Sequence, residues 1–246
     1  MAEGVATINM SISDPKACVV LVPCGEAIAA PCEDSLRVLE SRGYEVRRIR
    51  GFSQIDVARN AIASNAVRDG FAETLWIDSD VGFNPDDVEK LRNHQLPIVA
   101  GIYAKKAKRE LACKFLDDTR GIQFGKKGGL IELMYAATGF LHVRREAYLD
   151  IQHKLNLPTC NLSFGEAIVP WFQPLIREYQ GNPWYLGEDF AFCERARQAG
   201  FRIMADTSIR LWHIGSYPYG WEDASGPTLR YSAFELKFEA SPGNPP

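Results

Sequence analysis

The reading turns on Leu75 to Phe83, LWIDSDVGF. Its first part belongs to the short segment Glu73 to Ile77, which reads as a buried strand. That run passes directly into Asp78-Ser79-Asp80. Two carboxylates then stand at the carboxyl end of a buried strand, which is where open α/β sheets bind ligands. Such a pair of hard oxygen donors suits Mg²⁺ or Mn²⁺. A plainer reading also fits these nine residues, namely a polar turn whose aspartates bond to their own backbone.

Toward the N-terminus, Ala17 to Pro23 (ACVVLVP) has the length and branching of a buried parallel strand. Glu33 to Arg42 has helical spacing and ends at Gly43, Tyr44 to Ile49 alternates as a second strand, and Ile55 to Val67 forms a second helix. Beyond the aspartates, Asn84 and Pro85 open a short helix to Asn93, and Pro97 to Tyr103 reads as a fourth strand. This alternation predicts a mostly parallel central sheet with helices on both faces. Cys113 to Tyr135 is strand-like with Gly-rich turns, Ala136 to Val143 is a strand, and Arg145 to Leu155 a helix. Glu188 to Ala199 is a helix closed by Gly200, and Phe201 to Ala205 and Arg210 to His213 are late strands. The C-terminal half is expected to form a smaller mixed sheet. A single domain follows, with a nucleotide-binding half over about 17–110, an acceptor half over about 111–220 and a flexible tail over about 221–246.

Composition sets the outer bounds. The 246 residues are 46% hydrophobic and 24% charged, as in a globular protein able to bury a core without disulfides. A net charge of -3 gives no global electrostatic case for nucleic-acid binding. The six cysteines show neither zinc-knuckle nor redox spacing, and Cys18 and Cys193 read as small core residues. A cytoplasmic setting is the simpler expectation. No apolar run approaches the ~20 residues that span a bilayer.

Two further segments carry chemistry. In LGEDFAFCERARQAG, Leu186 to Gly200, Glu188 and Asp189 begin a helix. Acids there satisfy free N–H groups and the helix dipole, or one of them faces the cleft as a general base. In IRLWHIGSY, Ile209 to Tyr217, His213 ends a short strand. It is either a core histidine or a ligand, and an imidazole suits Mn²⁺ better than Mg²⁺.

In order along the chain, these pieces resemble the GT-A glycosyltransferases, most closely the inverting family 2 enzymes. They are Pro23; VARNAIA with Arg59 and Asn60; WIDSDVGF with Asp78 and Asp80; AATGFLHVRREAY with Gly139 and Phe140; YLGEDFAFCERARQAGF with Glu188 and Asp189; and RLWHIG with His213. The resemblance covers about Ala17 to Gly215. It implies transfer of a sugar from a nucleotide-diphosphate donor to a glycan, lipid-linked or small-molecule acceptor. Asp78 would serve the donor ribose or base, Asp80 and His213 the cation, and Arg59 with Asn60 the nucleotide or its diphosphate. Gly139 and Phe140 would line the sugar region, Asp189 would be the base of an inverting transfer, and Glu188 would orient the acceptor. The chain departs from the pattern at Cys24-Gly25-Glu26, where a polar nucleobase-binding turn is usual, and at Tyr103-Ala104-Lys105-Lys106. Retention in place of inversion stays open. A nucleotidyltransferase is disfavoured because Val22 to Pro31 has one Gly and no Lys or Arg. A non-catalytic carbohydrate-binding protein on the same fold also stays open.

Overall fold

The computed structural model describes residues 14–106, 108–224 and 233–237. In chain order the strands are β1 (Cys18–Pro23), β2 (Glu45–Ile49), β3 (Glu73–Ile77), β4 (Val81–Gly82), β5 (Ile98–Ala100), β6 (Cys113–Phe115), β7 (Gly121–Gly125), β8 (Leu130–Ala136), β9 (Phe140–Arg144), β10 (Leu175–Tyr179), β11 (Asn182–Leu186), β12 (Ile203–Asp206), β13 (Trp212–Ile214), β14 (Pro218–Tyr219) and β15 (Ala233–Lys237). The helices are α1 (Ala30–Ser41), α2 (Ile55–Arg68), α3 (Asp86–Asn93), α4 (Arg145–Lys154) and α5 (Glu188–Gln198).

The protein is α/β. Eight strands form one sheet in the order β2-β1-β3-β9-β5-β12-β8-β6. β1 lies parallel to β2 and β3, and β12 lies parallel to β5. β9 runs antiparallel between β3 and β5 and bonds to both. The fourth strand of the alternation therefore does not pair with the third. In the C-terminal half, β12, β8 and β6 extend the central sheet, and the small sheets formed there are antiparallel, where a smaller mixed sheet was expected. Small sheets remain at the margins, β4-β13-β14, β10-β11 and β7-β15.

Side chains alternate across the pleat and fill a core on each face. From β1, Val19 and Leu21 join one core with Ala58, Ile62, Trp76, Tyr148 and Phe192. Cys18, Val20 and Val22 join the other with Leu36, Leu39, Leu75, Val88 and Phe140. Helices α2, α4 and α5 thus cover one face, and α1 and α3 the other. Every residue of β1 and β3 is buried, and the one charged residue among them, Glu73, is paired with Arg92 and His142.

Boundaries shift locally. α1 starts at Ala30, with Pro31 tolerated in its first turn, where no intrahelical donor is needed. Asn84 accepts a bond from the Asp86 backbone N–H at 3.0 Å, so its side chain serves the start of α3 as a cap would. The fourth strand shortens to Ile98–Ala100, and the late strand shifts to Trp212–Ile214. Part of the segment expected to be a flexible tail is structured. Trp221 is 1% exposed, and β15 pairs along β7. The rest of that segment lies outside the described residues.

Candidate active site

Strand β3 delivers Asp78 and Asp80 to the carboxyl edge of the sheet, and four other segments converge there. β9 contributes Gly139, whose carbonyl accepts the Asp78 N–H at 3.1 Å. β13 pairs with β4, placing His213 opposite Val81, and the Ile214 N–H donates to the Asp80 carbonyl at 2.7 Å. That short ladder joins two segments more than a hundred residues apart. α2 contributes Arg59, and the first turn of α5 contributes Glu188 and Asp189.

Arg59 organises the centre. It is 3% exposed. Its Nη2 donates to Asp78 Oδ1 at 2.7 Å, and its Nε lies 3.6 Å from Glu188 Oε1. The guanidinium also sits 5.5 Å from the Trp76 ring centre. One buried cation thereby ties the strand-end acid to the helix-start acid. Its Nε and Nη1 have no hydrogen-bond partner among the described residues, nor does the buried hydroxyl of Thr138. Buried donors of this kind usually find an oxygen, so Arg59 retains capacity for a ligand or water oxygen.

Asp80 has a different environment. Lys106 Nζ donates to its Oδ2 at 2.5 Å, and His213 Nε2 lies 3.5 Å from its Oδ1. Burial opposes ionisation of this carboxyl, but His213 and Lys106 outweigh it and pull its pKa down to about 2. The Nδ1 of His213 lies 3.0 Å from the Ala104 carbonyl oxygen, which only accepts, so Nδ1 carries a proton. Nε2 then faces a carboxylate oxygen, and the two repel unless a proton or a cation stands between them. Adjacent ligands of an octahedral ion at ~2.1 Å are about 3 Å apart, close to the spacing seen. Metal-bound histidines usually have their other N–H held by a carbonyl or carboxylate in this way.

The expected third ligand does not join this pair, because Asp78 is turned to Arg59. Among the described residues, no group of three or more His, Cys, Asp or Glu could hold a metal ion. Asp80 and His213 could offer a divalent cation two donors, and the Asp80 carboxylate is held here by Lys106. Phosphate oxygens of a substrate commonly complete such shells.

Asp189 is the most perturbed acid at the edge. Its pKa is pushed up to about 6, first by burial and then by the charge of Glu188, against a bond from the Phe190 N–H and the pull of Arg59. Asp78 also raises it, so the two acidic segments sense one another. Tyr103 is buried beside them. Burial, Asp78 and Asp189 hold its phenol well above the ordinary range. Its oxygen accepts the Gly139 N–H at 3.2 Å, and its ring meets the His213 ring edge-on at 5.1 Å.

Three expected donor-site residues do other work. Phe140 is 0% exposed, because strand alternation turns it into the core against Phe83. Asn60 points away from the acids, and its Oδ1 accepts the Phe172 N–H at 2.6 Å, pinning a distant loop to α2. Gly139 does lie at the edge, but the room left by its missing side chain is filled. A Cβ there would come within 2.3 Å of the Tyr103 hydroxyl and 2.8 Å of Asp78 Oδ2. Tyr103 and Lys106 take part although neither carries a motif; they belong to the segment Tyr103 to Lys106, at the end of the fourth strand, where the chain departs from the family pattern. Trp171 and Trp221 lie in the core, with their indole N–H groups bonded to backbone carbonyls.

No protein-family model matches this sequence, and no curated protein matches it. A solved structure does, the protein titled A197 from STIV, at 16% identity and a TM-score of 0.52. The match covers 87% of this chain and 98% of that one. At this identity the likeness establishes a shared fold.

Proposed function

We propose that this chain is a GT-A-type glycosyltransferase that moves a sugar from a nucleotide-diphosphate donor to an acceptor hydroxyl with inversion. The observation that carries the reading is the meeting of Asp78, Asp80, Arg59, Glu188, Asp189 and His213 at one sheet edge. These residues come from four segments that are far apart in the chain.

In this reading Asp189 is the base. The acceptor oxygen forms its bond to the anomeric carbon as the bond from that carbon to the diphosphate breaks. The bonding pair leaves with the diphosphate, and the hydroxyl proton passes to the Asp189 carboxylate. A pKa near 6 is close to the working range at which a carboxylate both exists ionised and accepts a proton well. Glu188 orients the acceptor, and Arg59 keeps Glu188 and Asp78 in place. Asp80 and His213 would hold a Mn²⁺ or Mg²⁺ ion, which when bound supplies positive charge to the departing diphosphate. Asp78 takes the ribose or base side of the donor.

Asp189→Asn tests the assignment. The amide keeps the shape and still accepts the Phe190 N–H through its oxygen. Release of nucleoside diphosphate from the donor is expected to fall ~10²–10⁴-fold, the usual loss for a general base, with donor affinity held by calorimetry. Near-normal turnover would return Asp189 to a helix-start role. Turnover with retained anomeric configuration by NMR would keep the fold assignment and reject the inverting mechanism.

A further inference from the structure

A cavity of about 600 Å³ is lined by none of the residues assigned above. Two of its lining residues are chain neighbours of that site: Lys105 precedes Lys106, which bonds to Asp80, and Phe190 follows Asp189.

Its lining has two parts. One wall is aromatic and apolar. Trp184 meets Phe190 edge-on at 6.4 Å, and Phe115, Leu116 and Leu236 lie alongside. The other is cationic. Lys105, Arg109, Lys114 and Arg120 face only two acids, Glu110 and Asp117. Glu110 is taken by Lys105 at 2.7 Å, and Asp117 accepts the Tyr179 hydroxyl at 2.5 Å. Arg109, Lys114 and Arg120 have no carboxylate within ion-pair distance among the described residues, although the chain as a whole is acidic. Lys114 instead lies 5.6 Å from the Tyr179 ring centre. A concave site with a ring-bearing wall and a few convergent charges has the composition of a ligand pocket, and the sign of those charges selects the ligand.

The geometry points to this cavity as the acceptor pocket, built for a carbohydrate that carries an anionic group. The sugar face would rest on the Trp184–Phe190 wall, a carboxylate or phosphate would meet Arg109, Lys114 and Arg120, and a hydroxyl would reach Asp189. This inference rests on the glycosyltransferase reading for the word acceptor, whereas the anion site itself does not depend on it.

Phenyl β-glucuronide and phenyl β-glucoside test it, because they share ring and hydroxyls and differ in one carboxylate. In ligand-detected NMR titrations at low salt, the glucuronide is expected to bind roughly tenfold tighter, the worth of about one charge-assisted contact. The preference should narrow as salt screens the charges. It should collapse toward equal affinity in Arg109→Gln/Arg120→Gln, whose two sites are exposed and carry no core packing. Lys114→Gln is the second variant and should lower the preference on its own. Equal affinities in the unaltered protein, no binding of either glycoside, or a preference that survives all three substitutions would overturn the proposal. Nucleoside diphosphate binding is read on the same samples. A lost preference with nucleotide binding kept is the result the cavity predicts. Glucuronide selectivity in a protein that binds no nucleotide would keep the anion site and sink the glycosyltransferase reading instead.

Discussion

A single carboxyl carries most of the chemistry proposed here, and its environment makes two pH statements. Asp189 is raised to about 6, chiefly by burial. If it works as an ionised base, kcat/KM should climb with pH and level off above about 6, with the acid limb lost in Asp189→Asn. Stability follows the opposite trend. Between the unfolded carboxyl value of about 4 and the folded value, the native state holds the proton more tightly than the unfolded chain. Asp189 therefore makes stability fall as pH rises through that window. Denaturant titrations at both ends of it should show a smaller drop for Asp189→Asn than for the unaltered protein, and an identical pH slope in the two would contradict the burial argument. Asp78, Asp80, Glu188, Asp189 and His213, read from the sequence as one site, do come together at one sheet edge. Phe140 and Asn60 do not join them, because a one-residue step along a strand or helix turns a side chain to another face. Gly139 was legible as a position needing no side chain, while the reason, the phenol of Tyr103, is a contact that only the folded chain reveals.

Among the elements, β3, α2 and α5 form the working unit, and Arg59 is their shared bond. Arg59→Met should do two things at once. It strands two carboxylates, which is expected to cost about 3 kcal/mol, the bottom of the range for a broken buried pair because both acids keep some contact with water. It should also weaken nucleoside diphosphate binding, because Asp78 and Glu188 lose their common anchor. Chemical denaturation and calorimetry measure the two effects separately, and unchanged values in both would reduce Arg59 to a passive core residue. The strands and helices were largely readable, because β1 and β3 are uninterrupted buried runs and α1 and α3 each keep their leucines on one buried face. Strand order was not. Periodicity records which face of a strand is buried but carries no information on its neighbour, so the insertion of β9 between β3 and β5 had no local signal. The same holds for β15, whose pairing with β7 is set by a partner more than a hundred residues away.

At the scale of the whole molecule, one sheet with helices on both faces brings Asp78, Asp80, Arg59, Glu188, Asp189 and His213 to one edge. No helix among the described residues is long and apolar enough to cross a membrane. The fold is shared with A197 from STIV, and the proposed activity rests on the site alone. The most direct test is a thermal-shift panel of nucleoside diphosphates, each with and without Mn²⁺, on the unaltered protein and on Asp80→Ala. A ligand at a hundred times its Kd adds about 2.7 kcal/mol, which for a chain of this size raises Tm by roughly 5–10 °C. The account predicts such a rise for one nucleotide, dependent on Mn²⁺ and absent in Asp80→Ala. A panel in which no nucleoside diphosphate moves Tm, with or without the cation, would contradict it.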